Sequence, residues 1–294
     1  MPENNYLAQQ FEENRGHLRG MAYRMLGSLN EADDAVQEAW LRLSRSDAST
    51  IENLGGWLTT VVARVCLDML RSRTSRREEE LQPEMPAPAT AVSKAKDPEQ
   101  ETLLADSVGL ALLVVLDRLA PAERLAFVLH DMFAVPFDEI ASILGHSPES
   151  ARQLASRARR RVQGAPPPKS NVLEQRKIVN AFLAAVRGGD IAGLIAVLDP
   201  DVVVRVDAAA AHPGAAREVR GAATWAKSAI AFSRNVAGSF SAMLIDGDVG
   251  LGWAPSGHLA RVLRFSFANG KIATVDVIGD PARLRDLAFG VLEE

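Results

Sequence analysis

Apolar residues recur at helical spacing through the first 162 positions and at alternating spacing through much of the last third. Between 5 and 27 the stripe of Leu7, Phe11, Leu18, Met21, Ala22, Met25 and Leu26 predicts one helix or a pair. Asn30 with Asp33 three residues on is a weak capping pattern. The helix it would open, Glu31 to about Leu43, buries Val36, Ala39, Trp40 and Leu43 and turns Asp34, Gln37, Glu38, Leu41 and Arg45 the other way. Residues 44–56 form a polar loop ending in Gly55–Gly56. A third helix, Trp57 to about Arg73, buries Leu58, Val61, Val62, Val65 and Met69 and lines another face with Thr60, Arg64, Asp68 and Arg71. After a proline-rich, charged stretch with no apolar period at 77–101, helices resume at about 102–119 and 121–132, the latter with Leu125, Val128 and Leu129 as core.

The most informative run is 137–162. Phe137, Ile140, Ala141 and Leu144 share a helical face, Gly145 stops the helix, and Ser147–Pro148 supplies an N-cap and a first-turn proline. The next helix buries Ala151, Leu154, Ala155, Ala158 and Val162. Its other side carries Glu149, Ser150, Arg152, Gln153, Ser156, Arg157, Arg159 and Arg160. Two short helices about a glycine turn, the second polar and basic, describe a helix-turn-helix reader of DNA. Arginine and glutamine pair with guanine and adenine edges, and serine suits phosphate oxygens. A plain helical hairpin with dipole-compensating arginines is the competing reading.

Beyond a stiff GAPPPKS linker the period changes. Helices are expected at Val172–Arg187 and, capped by Asp190, to about Leu198. A strand follows at Val202–Val206 and a helix at Ala222–Arg234. Strands are expected at Ser239–Ile245, Val249–Ala254, His258–Ala268 and Lys271–Ile278, and a last helix at Pro281–Leu292. Asn269–Gly270 is the strongest hairpin signal in the chain. Helices followed by a mainly antiparallel sheet imply an α+β domain, and a sheet wrapped over helices often encloses a pocket.

Composition narrows the function. The 294 residues, 47% hydrophobic and 24% charged, suit a soluble globular protein of two or three domains. The absence of a 20-residue apolar run and of a basic-apolar leader predicts a cytoplasmic protein that does not enter membranes. One cysteine, Cys66, excludes a disulfide framework or a cysteine zinc site and is expected to be a buried small hydrophobe. Net charge is −4, yet 53–77 and 147–162 each hold five arginines against one acid. Two compact basic helices in an acidic chain suit a protein that touches DNA at two places.

These residues resemble a known family. NEADDAVQEAWLRL is similar to the polymerase-binding helix of sigma region 2 in extracytoplasmic-function (ECF) sigma factors. WLTTVVARVCLDMLRSR is similar to the helix that melts and reads the −10 promoter element. The run from LAPAERL through RARRRV is similar to sigma region 4, reader of the −35 element. The tail resembles the SnoaL-like (NTF2-like) domain fused to one sigma subgroup, with NGKI at 269–272 matching a signature of that subgroup. LQPEMP at 81–86 is similar to its WLPEP-type motif without the tryptophan. VDAAAA stands where the subgroup has DGGG, with Asp207 retained and alanines in place of glycines.

The resemblance implies a multi-domain chain: sigma region 2 (1–77), a linker (78–101), a sigma region 4 helix-turn-helix (102–163), a second linker (164–171) and an α+β NTF2-like cone domain (172–294). It implies RNA polymerase core enzyme and promoter DNA as partners, with no cofactor, no metal and no chemistry of its own. Asp34, Gln37, Glu38 and Leu41 would meet polymerase. Trp57, Arg64, Asp68, Arg71 and Arg73 would hold the opened −10 strand, and loop 44–56 would capture a flipped base. Glu149, Ser150, Arg152, Gln153, Ser156, Arg157 and Arg159 would face the −35 duplex. Asp207, Asn269, Gly270 and Lys271 would make regulatory contacts, and the tail has room for an unidentified small ligand. The rival reading is a DNA-binding protein fused to a catalytic SnoaL-like cyclase or isomerase. Asp207, His212, Asp246, His258 and Asp276 are its candidate bases, with no mutual motif among them. His130 and His146 are expected to pack between helices. A repressor-like DNA binder would explain 137–162 but neither the acidic helix nor the tryptophan-led basic one.

Overall fold

The computed structural model describes residues 2–46, 51–79, 109–164, 171–211, 217–235, 240–254 and 259–292. Most of the predicted linker at 78–101 with its LQPEMP segment, residues 47–50 of the flipped-base loop, most of GAPPPKS, and His212 and His258 lie outside them. The chain divides into two compact units. One holds Met1–Leu104 and Leu116–Arg159, the other Ala105–Val115 and Arg160–Glu294.

The first unit is helical: α1 (Pro2–Leu26), α2 (Leu29–Leu43), α3 (Leu54–Glu79), the end of α4 (Leu110–Asp117), α5 (Pro121–Phe127), α6 (Phe137–Leu144) and most of α7 (Pro148–Val162). The first stretch forms one helix, not two. The expected Asn30–Asp33 cap is absent: α2 begins at Leu29, and Asp33 instead binds Arg19 across to α1 at 2.6 Å. Helix α3 begins three residues earlier than expected, because the Asn53 side chain accepts the Gly56 N–H at 3.0 Å and caps it. It also continues past Arg73 to Glu79, since no glycine or proline stops it before Pro83.

Tyr23, Met21, Met25 and Leu26 of α1, Leu43 of α2 and Leu58, Cys66 and Leu67 of α3 are almost wholly buried. Each large apolar side chain so buried stabilises the fold by roughly 1.5–3 kcal/mol. Helix α5 opens at Pro121, with Glu123 reaching back to the Ala120 N–H, and widens into a π-helical turn at Val128–Met132. His130 in that turn stacks on Phe137 at 3.8 Å, as a packing residue should, whereas His146 is exposed. Gly145 ends α6 in the left-handed conformation at φ 71°.

The second unit is the α+β domain. Helices α8 (Val172–Gly188), α9 (Ile191–Val197, capped by Asp190) and α10 (Ala222–Asn235) cover one face of a seven-stranded sheet. The strands are β1 (Leu198–Val206), β2 (Glu218–Arg220), β3 (Phe240–Ile245), β4 (Asp248–Trp253), β5 (Arg261–Ala268), β6 (Lys271–Ile278) and β7 (Phe289–Gly290), in the order β2-β1-β6-β5-β4-β3-β7. Among the described residues only β1 with β6 pairs in parallel. Asn269 and Gly270 turn the β5–β6 hairpin at φ 52° and 71°, left-handed values that this pair tolerates.

Alternation sorts the strands between two cores. Leu251, Leu263, Phe265 and Val275 face Phe182, Leu183, Trp225 and Ile230 of the helices. Met243, Ile245, Val262 and Ile278 face the other way, onto Leu284 of α11 (Pro281–Asp286), Phe289, and Ala111, Val114 and Val115. The start of α4 therefore belongs to the sheet's packing. Buried Gln175 ties α8 to the start of β4 by accepting the Val249 N–H at 2.9 Å and donating to Asp248 at 2.9 Å.

Several elements of this unit differ from expectation; β1 opens at Leu198, not Val202. Glu218–Arg220 forms an edge strand too short to register as a period. The last helix stops at Asp286, because Phe289–Gly290 pairs with β3 instead. Gly290 lies against Gly164, where an added Cβ would stand 2.9 Å from the Gly164 Cα; any side chain there would push the strand off.

Candidate nucleic-acid interface

Helix α7 is built to present one side. Ser147 Oγ accepts the Ser150 N–H at 3.2 Å, and Pro148 takes the first helical position. Ala151, Ala155 and Ala158 are fully buried, so a strip of small side chains brings the helix close to its support. Leu154 and Val162, expected to be buried, are only half so. Glu149, Arg152, Gln153, Ser156, Arg157 and Arg159 are exposed, and Ser150 is half-buried. The arginines are aimed, not loose. Arg152 binds Glu149 at 2.9 Å and lies 5.3 Å over the Phe137 ring. Arg159 binds Asp131 at 2.8 and 2.5 Å, and Arg157 is 3.9 Å from Glu123. The Arg152–Glu149 pair is exposed on both sides; such pairs are worth at most about 1 kcal/mol, so a phosphate can displace that carboxylate.

Helix α3 is different. Arg64, Asp68 and Arg71 are exposed in one line, and Trp57 is half-buried at its start. Arg73, grouped with them by sequence, turns inward: its guanidinium donates to the Leu26 carbonyl at 3.0 Å and pairs with Glu31, locking α3 to the corner between α1 and α2. On α2, Asp34 and Gln37 are exposed, and Leu41 is 38% exposed. Glu38 is half-buried and holds Arg42 at 2.9 Å. Gln37 borders a groove of about 680 Å³ with Phe11, Arg19 and Trp40.

Arg124 escaped the sequence reading. It is 2% exposed, donates twice to the Arg24 carbonyl at 3.2 and 3.1 Å, and lies 3.5 Å from Asp117. Burial lowers its pKa to about 10 against the opposing pull of Asp117. A guanidinium on α5 thus fastens onto the last turn of α1, and the helices of the two expected sigma regions pack into one unit. The missed signal is positional: Arg124 stands four residues before Val128 and shares its buried face. Burial likewise pushes the Cys66 thiol up to about 12, which leaves it an inert packing group near neutral pH.

In the second unit Asp207 follows β1 and accepts the N–H groups of Gly279, Asp280 and Ala210 at 2.8–2.9 Å, with Arg283 3.5 Å away. Burial alone would raise its pKa. The three amides and Arg283 outweigh that and hold it below the usual carboxylate range. Its side chain is not a solvated strand end but a clasp between the ends of β1 and β6. No residue of 208–210 has a positive φ, so the alanines that replace glycines here carry no backbone strain.

Asn269 and Gly270 stand exposed at the hairpin tip, and Lys271 is half-buried beside them. Asp246 and Asp276 both face Arg264, at 3.5 and 2.9 Å. Asp207, Asp246 and Asp276 are all missing from the lining of the unit's cavity, about 720 Å³ between the sheet, α8 and α10.

The Sigma-70 region 2 family matches residues 10–76, and Sigma-70 region 4 matches residues 109–162. The chain is 43% identical over 219 residues to the ECF RNA polymerase sigma factor SigJ of Mycobacterium tuberculosis, covering 72% of this chain and 68% of the relative. It is 38% identical over 209 residues to a probable ECF RNA polymerase sigma factor, SigI, of the same organism, covering 71% and 72%. A crystal structure of the M. tuberculosis extracytoplasmic function sigma factor SigJ aligns over 94% of this chain and 98% of that one, at 34% identity and a TM-score of 0.47. Two helical sigma regions and relatives matched over more than two thirds of their length place the protein: the chain belongs to the ECF RNA polymerase sigma factors.

Proposed function

We infer that this chain gives RNA polymerase its promoter specificity through two reading faces, and that its α+β tail sets how readily they are used. The observation that carries the reading is the joint exposure of Arg64, Asp68 and Arg71 on α3 and of Arg152, Gln153, Ser156 and Arg157 on α7. Asp34, Gln37, Glu38 and Leu41 dock on polymerase. Trp57, Arg64, Asp68 and Arg71 hold the opened −10 strand, ring against base and cation against phosphate. Arg73 serves that face indirectly, by fixing α3. Glu149, Ser150, Arg152 and Gln153 meet base edges of the −35 duplex, while Ser156, Arg157 and Arg159 meet its backbone. Partners are core polymerase and promoter DNA, in the cytoplasm.

The tail regulates rather than reacts. Asp207 shapes the turn beside β6, and the Asn269–Gly270–Lys271 tip offers a rigid contact. The cavity's lining is mostly apolar, with Phe182, Trp225, Phe240 and Leu263 in its wall, which suits a binding role.

The test is run-off transcription by core polymerase. The full chain is expected to support initiation at a promoter selected from a random-sequence library. Asp34→Lys with Leu41→Glu is expected to abolish initiation while leaving free-DNA binding intact. A chain cut after Gly164 is expected to initiate at a changed rate. Undiminished initiation by the docking variant contradicts the polymerase face, and an identical rate from the cut chain contradicts regulation by the tail.

A further inference from the structure

Strand β5 carries two arginines three positions apart, and strand alternation sends them to opposite faces. Arg264 is neutralised: Asp276, its partner in register, lies 2.9 Å away and Asp246 3.5 Å. Arg261 shares its face with Leu263 and Phe265, beneath α8 and α10, and meets no such partner among the described residues. Its guanidinium sits 4.9 Å from the Phe232 ring centre and 5.7 Å from that of Trp253. Ring faces attract a cation but leave its directed N–H groups unanswered. The Arg261 Nε is buried with no hydrogen-bond partner among the described residues. Asp207 is the carboxylate whose field reaches it, and that carboxylate already accepts three backbone N–H groups and faces Arg283.

Arg261 stands in the wall of the 720 Å³ cavity, within the roughly 300–1,000 Å³ usual for small-molecule sites. Phe182, Trp225, Phe240 and Leu263 make the rest of that wall apolar, and exposed Ser228 adds a hydroxyl. No second cation lines it among the described residues. A hydrocarbon alone would fill the space and leave the guanidinium unanswered. A phosphate dianion would find only half its charge met.

We propose that this cavity binds an amphiphilic carboxylate, its head on the Arg261 guanidinium and its hydrocarbon body between Phe182, Trp225 and Leu263. A carboxylate presents two oxygens to the planar guanidinium that stands in the cavity wall. The proposal rests on the regulatory reading of the tail only for what binding accomplishes. Binding is measured without polymerase, so a failure here leaves the transcription result standing, and the reverse.

The test is titration calorimetry on the full chain with dodecanoate and with dodecanol, both below their aggregation limits. Hydrogen bonds to a charged group are strong enough that the acid should bind about tenfold or more tighter than the alcohol. Arg261→Met keeps the bulk and removes the charge; it is expected to erase that difference by weakening the acid alone. Ala229→Trp, which fills the cavity, is expected to abolish both. No binding of dodecanoate to the unaltered chain, equal affinities for acid and alcohol, or an Arg261→Met chain that still prefers the acid each overturn the proposal. The acid-to-alcohol ratio on the unaltered chain decides the matter even if the methionine variant does not fold.

Discussion

Helices α3 and α7 are inversions of one another. Helix α3 buries most of its circumference, with Leu58, Val62, Val65, Cys66, Leu67 and Leu70 all inside, and exposes a single strip at i, i+4 and i+7: Arg64, Asp68 and Arg71. Helix α7 buries a single strip at the same spacing, Ala151, Ala155 and Ala158, and exposes the remainder. A helix sunk in the core can offer a line of contacts, which suits tracking one separated strand. A helix lying on the surface over small side chains can offer a broad face, which suits entry into a major groove. On the proposed function, the same arginine-rich composition would serve two different tasks, set by what lies on the other side of each helix.

That contrast can be broken by substitution. Leu67→Ala opens a cavity in the middle of α3 and is expected to cost about 2–5 kcal/mol, read as a fall in the urea midpoint. A loss under about 0.5 kcal/mol would mean that α3 is not the spine of its unit. Ala155→Leu forces bulk beneath α7 and is expected to cost about 1–3 kcal/mol, because the close approach leaves no room for it. Were it neutral, the alanine strip would not be setting the height of the reading helix. Replacing exposed Arg152 and Gln153 together by alanine is expected to move stability by less than about 0.5 kcal/mol, because it touches only the presented side.

Much of this was legible in the residues. The glycine stop at 145, the Ser147–Pro148 start and the Asn269–Gly270 turn are local signals, and the structure places each as expected. The exposure of the arginine-bearing sides of α3 and α7 was readable from apolar period and arginine spacing. What stayed hidden depended on tertiary partners. Arg73 and Arg124 look like surface cations until Glu31 and two backbone carbonyls are brought to them. Asp207 looks like a strand end until the β6 terminus supplies its donors. Arg261 left a trace, since Arg261, Leu263, Phe265 and Phe267 alternate on one face of β5. A charge in step with a buried apolar series is a signal that composition does not register. The final helix stops short of its expected end because the residues after Asp286 are apolar enough for either conformation, and pairing with β3 decides between them.

The central claim is that the broad face of α7 reads base edges for polymerase. The most direct measurement is promoter selection from a randomised −35 library by core polymerase carrying either the full chain or its Arg152→Ala, Gln153→Ala variant. The account predicts that the variant still binds core and still initiates, with discrimination at the bases it contacted falling by about 1–3 kcal/mol for each lost contact. The same −35 preference from both chains would contradict it.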